Sequence, residues 1–228
     1  MLTQAALDAL AREYEGRPEA MIAWVTQTFG RRLAVAVSFG GPSGMVLIDM
    51  LARIEHTATI YYLDTGLLYP QTYEHIERVR EHYGITPVAV APAQSVDEQA
   101  REYGAALWER DPDRCCRLRK VEPQRAFLRN FDAWMTGIRR DQSSTRNTIA
   151  TLDYDGIFGL VKVNPLASWS HEMVWEYIRA HDVPYNPLHD RGYPSIGCWP
   201  CTTPVCSGDD MRAGRWSTFD KTECGLHR

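Results

Sequence analysis

No apolar run in this 228-residue sequence approaches membrane-spanning length, and its start, Met1-Leu2-Thr3-Gln4-Ala5-Ala6-Leu7-Asp8, lacks the basic and long apolar segments of a signal peptide. A cytoplasmic protein with no membrane partner is therefore expected. Excess positive charge is missing as well: 25 Lys and Arg against 29 Asp and Glu leave a formal charge of −4. No nucleic-acid partner is expected, and any anion site must be local. There is no internal repeat and no low-complexity tract. Cysteine is sparse, with 6 residues, and in a reducing compartment such thiols persist as thiolates or metal ligands rather than as a cystine framework.

The few cysteines are grouped. Cys115-Cys116 and Cys198-Trp199-Pro200-Cys201 form two tight pairs, and Cys224 stands alone in the closing Glu-Cys-Gly-Leu-His-Arg. A Cys-x-x-Cys matched with a distant second pair is a common plan for zinc or iron–sulfur ligation. The pattern predicts a four-thiolate metal site beside a separate reactive thiol. Cys206 reads as a spare thiol.

Leu33 to Val37 is a short apolar run that stops at Ser38-Phe39-Gly40-Gly41-Pro42-Ser43-Gly44, and Met45 to Leu51 then reads as a buried helix. Thr59 to Leu63 reads as a second strand closing on Asp64-Thr65-Gly66. Thr72 to His82 has helical spacing with Ile76 and Val79 inward, and Pro87 to Val90 is a third strand. Cys116 to Leu128 reads as another helix, followed by a strand over Ala133 to Ile138 and a polar loop from Arg139 to Asn147. Ser170 is an N-cap candidate for a helix from about His171 to Ala180. Alternating helices and strands predict a parallel α/β sheet that binds ligands outside the carboxyl ends of its strands, where Ser38, Asp64 and Arg139 fall. Pro184 to Cys206 shows little periodicity. The expected organisation is a single α/β domain over residues 1–206 and a C-terminal tail over 207–228.

The loop from Ser38 to Gly44 lies at a helix N-terminus and can present backbone N–H groups to a phosphate or sulfate. It lacks the Gly-Lys-Ser/Thr ending of a Walker loop, which counts against phosphoryl transfer of that type. The loop Gly137-Ile138-Arg139-Arg140-Asp141-Gln142-Ser143-Ser144-Thr145-Arg146 adds arginines suited to bidentate contact with tetrahedral oxyanions.

Several of these segments, taken in order, resemble the assimilatory adenylylsulfate (APS) reductases. They are Ser38-Phe39-Gly40-Gly41, Leu63-Asp64-Thr65-Gly66, Cys115-Cys116-x-x-x-Lys120-Val121-Glu122-Pro123, Gly137-x-Arg139-Arg140-x-Gln142, Gly197-Cys198-x-x-Cys201 and Lys221-x-Glu223-Cys224-Gly225-Leu226-His227. That family is related to the phosphoadenylylsulfate (PAPS) reductases and the ATP-pyrophosphatase-like enzymes. The resemblance spans roughly residue 30 onward. It implies a Rossmann-like adenine nucleotide alpha hydrolase (PP-loop) fold with a mobile C-terminal tail.

Residue by residue, the resemblance implies that Cys115, Cys116, Cys198 and Cys201 ligate one [4Fe–4S] cluster and that Cys224 is the nucleophile. Adjacent cysteines on a helix diverge by about 100°, so both meet one cluster only where the helix ends or bends. Ser38, Phe39, Gly40 and Leu63 are implied to contact adenosine. Gly137, Arg139, Arg140, Arg146, Lys120, Arg212, Arg215 and His227 complete the implied substrate site. The implied reaction turns adenosine 5′-phosphosulfate into sulfite and AMP through an S-sulfonated Cys224, with thioredoxin or a similar dithiol protein as reductant. PAPS reduction, alone or beside APS reduction, is the nearest alternative. An adenylating enzyme would want a Ser-Gly-Gly-x-Asp-Ser loop, where this chain has Ser43 or Gly44 in place of the aspartate, and a zinc-binding interaction module would hold one colourless ion. A homo-oligomer is left open. The first loop and the short stretch after Arg215 depart from the family's usual pattern.

Overall fold

The computed structural model describes residues 2–206 and 208–227. Ser207, where the tail was expected to begin, and Arg228 lie outside the described residues. In chain order the elements are α1 (Gln4–Tyr14), α2 (Pro18–Phe29), β1 (Leu33–Ala36), α3 (Pro42–Ala52), β2 (Thr59–Leu63), α4 (Pro70–Tyr83) and β3 (Val88–Val90). They continue with α5 (Val96–Tyr103), α6 (Leu107–Arg110), α7 (Pro112–Cys116), α8 (Glu122–Leu128), β4 (Ala133–Thr136), β5 (Leu152–Asp155), β6 (Leu160–Val163) and α9 (His171–His181).

The strands form one six-stranded sheet in the order β3-β2-β1-β4-β6-β5. All pairings are parallel except the antiparallel edge pair β5–β6. Alternation along the strands separates two apolar layers. Leu33 and Val35 of β1 join the layer filled by α2, α3, α4 and α9, whereas Ala34, Tyr61 and Trp134 face Leu128 and Phe127 of α8. Successive strands run outward from β1 on one side through β2 and on the other through β4. The order reverses between β1 and β4, which opens a crevice at their carboxyl ends.

Local signals in the sequence account for the boundaries near that crevice. Pro42 at the first turn of α3 pre-sets its backbone for helix, and the Ser170 hydroxyl accepts the Met173 N–H to cap α9. The strand expected over Ala133 to Ile138 ends at Thr136. Sequence periodicity did not reveal β5 and β6: each has only four residues, and Asp153 and Asp155 break the apolar pattern of β5.

Asp49 of α3 ties the helical layer together. Its carboxylate accepts hydrogen bonds from Tyr177 OH at 2.7 Å, Arg53 Nε at 2.8 Å and Tyr83 OH at 3.1 Å. Burial opposes its ionisation, but the bonds from Arg53, Tyr177 and Tyr83 outweigh burial and leave its pKa below the ordinary carboxylate value. A lowered folded-state pKa means that the contribution is present at neutral pH and is lost as pH falls through the folded value. Asp49→Asn should therefore cost about 2 kcal/mol at neutral pH, and chemical denaturation should show the gap to wild type narrowing in acid.

Candidate active site

The crevice is a cavity of about 250 Å³ lined by the segment 36–44 after β1, the ends of β2 and β4, residues 194–198, and the tail residues Arg212, Arg215, Cys224 and His227. Its floor depends on a close approach. A Cβ on Gly137 would meet the Ser43 backbone carbon and oxygen at 3.0 Å, so only glycine lets β4 run out beside the start of α3. Through that gap Arg139 reaches the Ser43 hydroxyl and, at 2.9 Å, Asp141 Oδ1. Burial lowers the Arg139 pKa, and Asp141 partly offsets this.

The glycine loop differs from expectation in two ways. Gly40 N and Gly41 N turn to the Ser38 hydroxyl at 3.4 and 3.3 Å rather than standing free. Phe39 takes a left-handed backbone with φ of 53° and is fully buried, edge-on to Tyr62 and His75. It therefore anchors the loop from beneath, while Ser38, Gly40 and Leu63 face the cavity.

The cysteines converge through two irregular segments. Cys115 and Cys116 are buried at the last turn of α7, and Arg117–Val121 immediately widens into a π-helical turn before α8. The helix read from the sequence thus bends directly after the pair. From across the crevice, the turn after β2 receives the second pair: Leu68 bridges to Cys198, Trp199 N donates to Leu67 O at 2.8 Å, and Thr65 Oγ1 lies 3.3 Å from Cys198 Sγ. Burial, reinforced by Cys116, Cys198 and Cys201, pushes the Cys115 thiol up to about 12. Burial with Cys198 raises Cys201 to about 11.

Ionising these four sulfurs together therefore needs positive charge among them. Arg119, buried beneath and bonded to Thr65 O at 2.6 Å, supplies some of it, as does Lys120. The donor set fits a thiolate-ligated iron–sulfur group. Among the described residues, no three His, Cys, Asp or Glu side chains form a group that could hold a single metal ion.

The tail closes the cavity's far side. Cys224 is half-buried there, and Lys221 pairs with Asp113 of α7 while lying 5.2 Å over the Trp216 ring. Arg215 covers the same ring at 4.6 Å. His227 stacks on Trp134 with centroids 5.6 Å apart and planes 6° apart, and its burial and the surrounding cations hold it well below the ordinary histidine value. Burial acts against the Lys120 ammonium, but Cys198, Cys116 and Cys224 outweigh it and raise its pKa.

This geometry has counterparts. A match to the phosphoadenosine phosphosulfate reductase domain covers residues 32–204. The chain belongs to this family. It is 50% identical to the adenosine 5′-phosphosulfate reductase of Salinibacter ruber over 97% of this chain and 88% of that protein. It is 45% identical to the phosphoadenosine 5′-phosphosulfate reductase of Gloeobacter violaceus over 99% and 95% respectively. The crystal structure of the PAPS reductase of Candida auris in a phosphate complex superposes with a TM-score of 0.78 at 32% identity, covering 90% of this chain and 98% of that one. The fold is accordingly the Rossmann-like PP-loop α/β fold that the resemblance implied.

Of the site residues expected from sequence, the structure gathers Ser38, Gly40, Leu63, Lys120, Gly137, Arg139, Arg146, Cys198, Arg212, Arg215, Cys224 and His227 around the cavity. Arg140 is a correction. It is absent from the cavity lining and donates instead to Glu15 Oε1 at 2.6 Å and Ile149 O at 2.7 Å, with its backbone N–H on Ala167 O. Sequence reasoning missed Ser43, Arg119, Trp134 and Glu223. Ser43 and Glu223 lay within segments the sequence already marked, the glycine loop and the closing motif. Gly137→Ala should weaken AMP binding by about tenfold or more, since the backbone of Ser43 cannot yield as a side chain would; isothermal titration would measure it.

Proposed function

We propose that this protein reduces adenosine 5′-phosphosulfate to sulfite and AMP in sulfate assimilation and cysteine biosynthesis, in a reducing cytoplasm, with thioredoxin or a similar dithiol protein as reductant. One observation carries the reading: the Cys224 tail segment and the glycine loop after β1 line one cavity together with Lys120 and Arg215. Adenosine lies over the strand ends at Ser38, Gly40 and Leu63. The phosphosulfate points toward Lys120 and Arg215, whose charge offsets that of the departing phosphate.

The Cys224 thiolate attacks the sulfate sulfur. An S–S bond forms, the bond from sulfur to the bridging oxygen breaks, and AMP leaves with that electron pair. One thiolate of the dithiol partner then attacks Cys224 Sγ and releases sulfite; its second thiol frees Cys224, and the partner leaves as a disulfide. The partner thus supplies both electrons. Cys224 must face first the cavity and then another protein, so the tail moves between steps. Cys115, Cys116, Cys198 and Cys201 would hold one [4Fe–4S] cluster, which when bound supplies charge and rigidity beside Lys120. The two cysteine pairs favour APS over its 3′-phosphorylated counterpart, in line with the family resemblance.

Anaerobically purified protein should contain iron and sulfide with visible absorption, and Cys116→Ser should lose them. Cys224→Ser should keep the chromophore and form no sulfite from APS with reduced thioredoxin; retained turnover would falsify the covalent route. kcat/KM should be higher for APS than for PAPS, and the reverse order would overturn the substrate assignment.

A further inference from the structure

The residue before the proposed nucleophile has a role of its own in this geometry. Arg146 grips the Glu223 carboxylate fork on fork, with Nε donating to Oε1 at 2.7 Å and Nη2 to Oε2 at 2.6 Å. Thr145 Oγ1 adds a bond at 3.2 Å, and Arg212 Nη2 lies 3.5 Å from Oε2 while donating to Thr222 O at 2.5 Å. The side chains of Arg146 and Glu223 are only 10% and 14% exposed. Burial alone would favour the neutral acid, but the hydrogen bonds and charge of Arg146, with Arg212, outweigh it and lower the Glu223 pKa.

This pairing sorts the cations around the cavity into two groups. Arg139 is committed to Asp141 and Ser43, and Arg146 and Arg212 are committed to Glu223. Lys120 and Arg215 both line the cavity, and the buried Nε of Arg215 has no hydrogen-bond partner among the described residues.

We propose that Glu223 is a positioning residue: its clamp on Arg146 holds Cys224 at the cavity wall and reserves Lys120 and Arg215 as the seat of the anion that Cys224 attacks. The proposal rests on the reductase reading above. The opposite arrangement, with substrate displacing Glu223 from Arg146, defeats itself. Consecutive Cα atoms lie about 3.8 Å apart, so releasing Glu223 would carry the nucleophile away as substrate arrived.

The test is iodoacetamide alkylation of Cys224, read by peptide mass spectrometry against the exposed Cys206 of the same molecule as internal reference. Glu223→Gln, and separately Arg146→Lys, which keeps the charge but loses the fork, should each speed Cys224 alkylation about tenfold relative to Cys206. AMP should not accelerate alkylation of the wild type. In APS turnover, Glu223→Gln should lower kcat about tenfold while KM moves less than about threefold. An unchanged alkylation ratio in both variants overturns the proposal. So does Glu223→Gln binding AMP about tenfold more tightly than wild type, because that result puts the carboxylate in the substrate's seat. The alkylation ratio needs no turnover, so loss of the clamp idea and loss of the reductase reading give different results.

Discussion

Burying positive charge is the constraint on which this structure turns. Cationic side chains crowd the carboxyl ends of β1, β2 and β4, a region withdrawn from water where an unmatched charge costs several kcal/mol. Most are answered by a neighbouring group. Arg119 spends its donors on Thr65 O and the Gln99 side chain, and Arg139 on Asp141 and Ser43. Arg146 takes Glu223, and Arg215 lies on the face of Trp216. Lys120 and Arg215 have no carboxylate within ion-pair distance among the described residues and face the cavity, so the site attracts anions.

The last residues of the chain are held by side-chain contacts to that same charged region. Lys221 meets Asp113, Glu223 meets Arg146, and His227 lies flat on Trp134. None of these buries the apolar area of a core helix, so the strap is held at a few discrete side-chain contacts, of which the buried Arg146–Glu223 pair is the costliest to break. A strap held this way places a thiol accurately and can still let it go. Trp134 itself is immobilised by the Asp155 carboxylate at its Nε1 and by Lys162 5.0 Å over its ring, so the strap docks on a fixed surface.

Irregular backbone is concentrated where the chemistry is proposed. The sheet is regular, but the π-helical turn after Cys116 and the left-handed Phe39 both border the cavity or its cysteines. Cys115 and Cys116 close the regular helix α7, and the π-helical turn begins at the very next residue. Phe39, buried under the glycine loop, holds that loop's backbone up to the crevice.

Much of this was written locally. The run from Leu33 to Leu51 is strand, loop and helix because apolar runs, Gly41 and Pro42 act over a few residues, and Ser170 caps α9 for the same reason. The pairing of cysteines and the closing motif likewise marked the thiols that the fold later gathers. Local pattern could not say where Arg139 and Arg140 would point: one enters the cavity and its neighbour leaves for Glu15 of α1. Nor could it foresee that Arg146 would be spent on Glu223, or that Thr65 would meet Cys198. Residue type and spacing determined which groups were available for chemistry. Only the tertiary structure decided which charges are matched and which remain for a ligand, because matching depends on distant segments meeting in a space that excludes water.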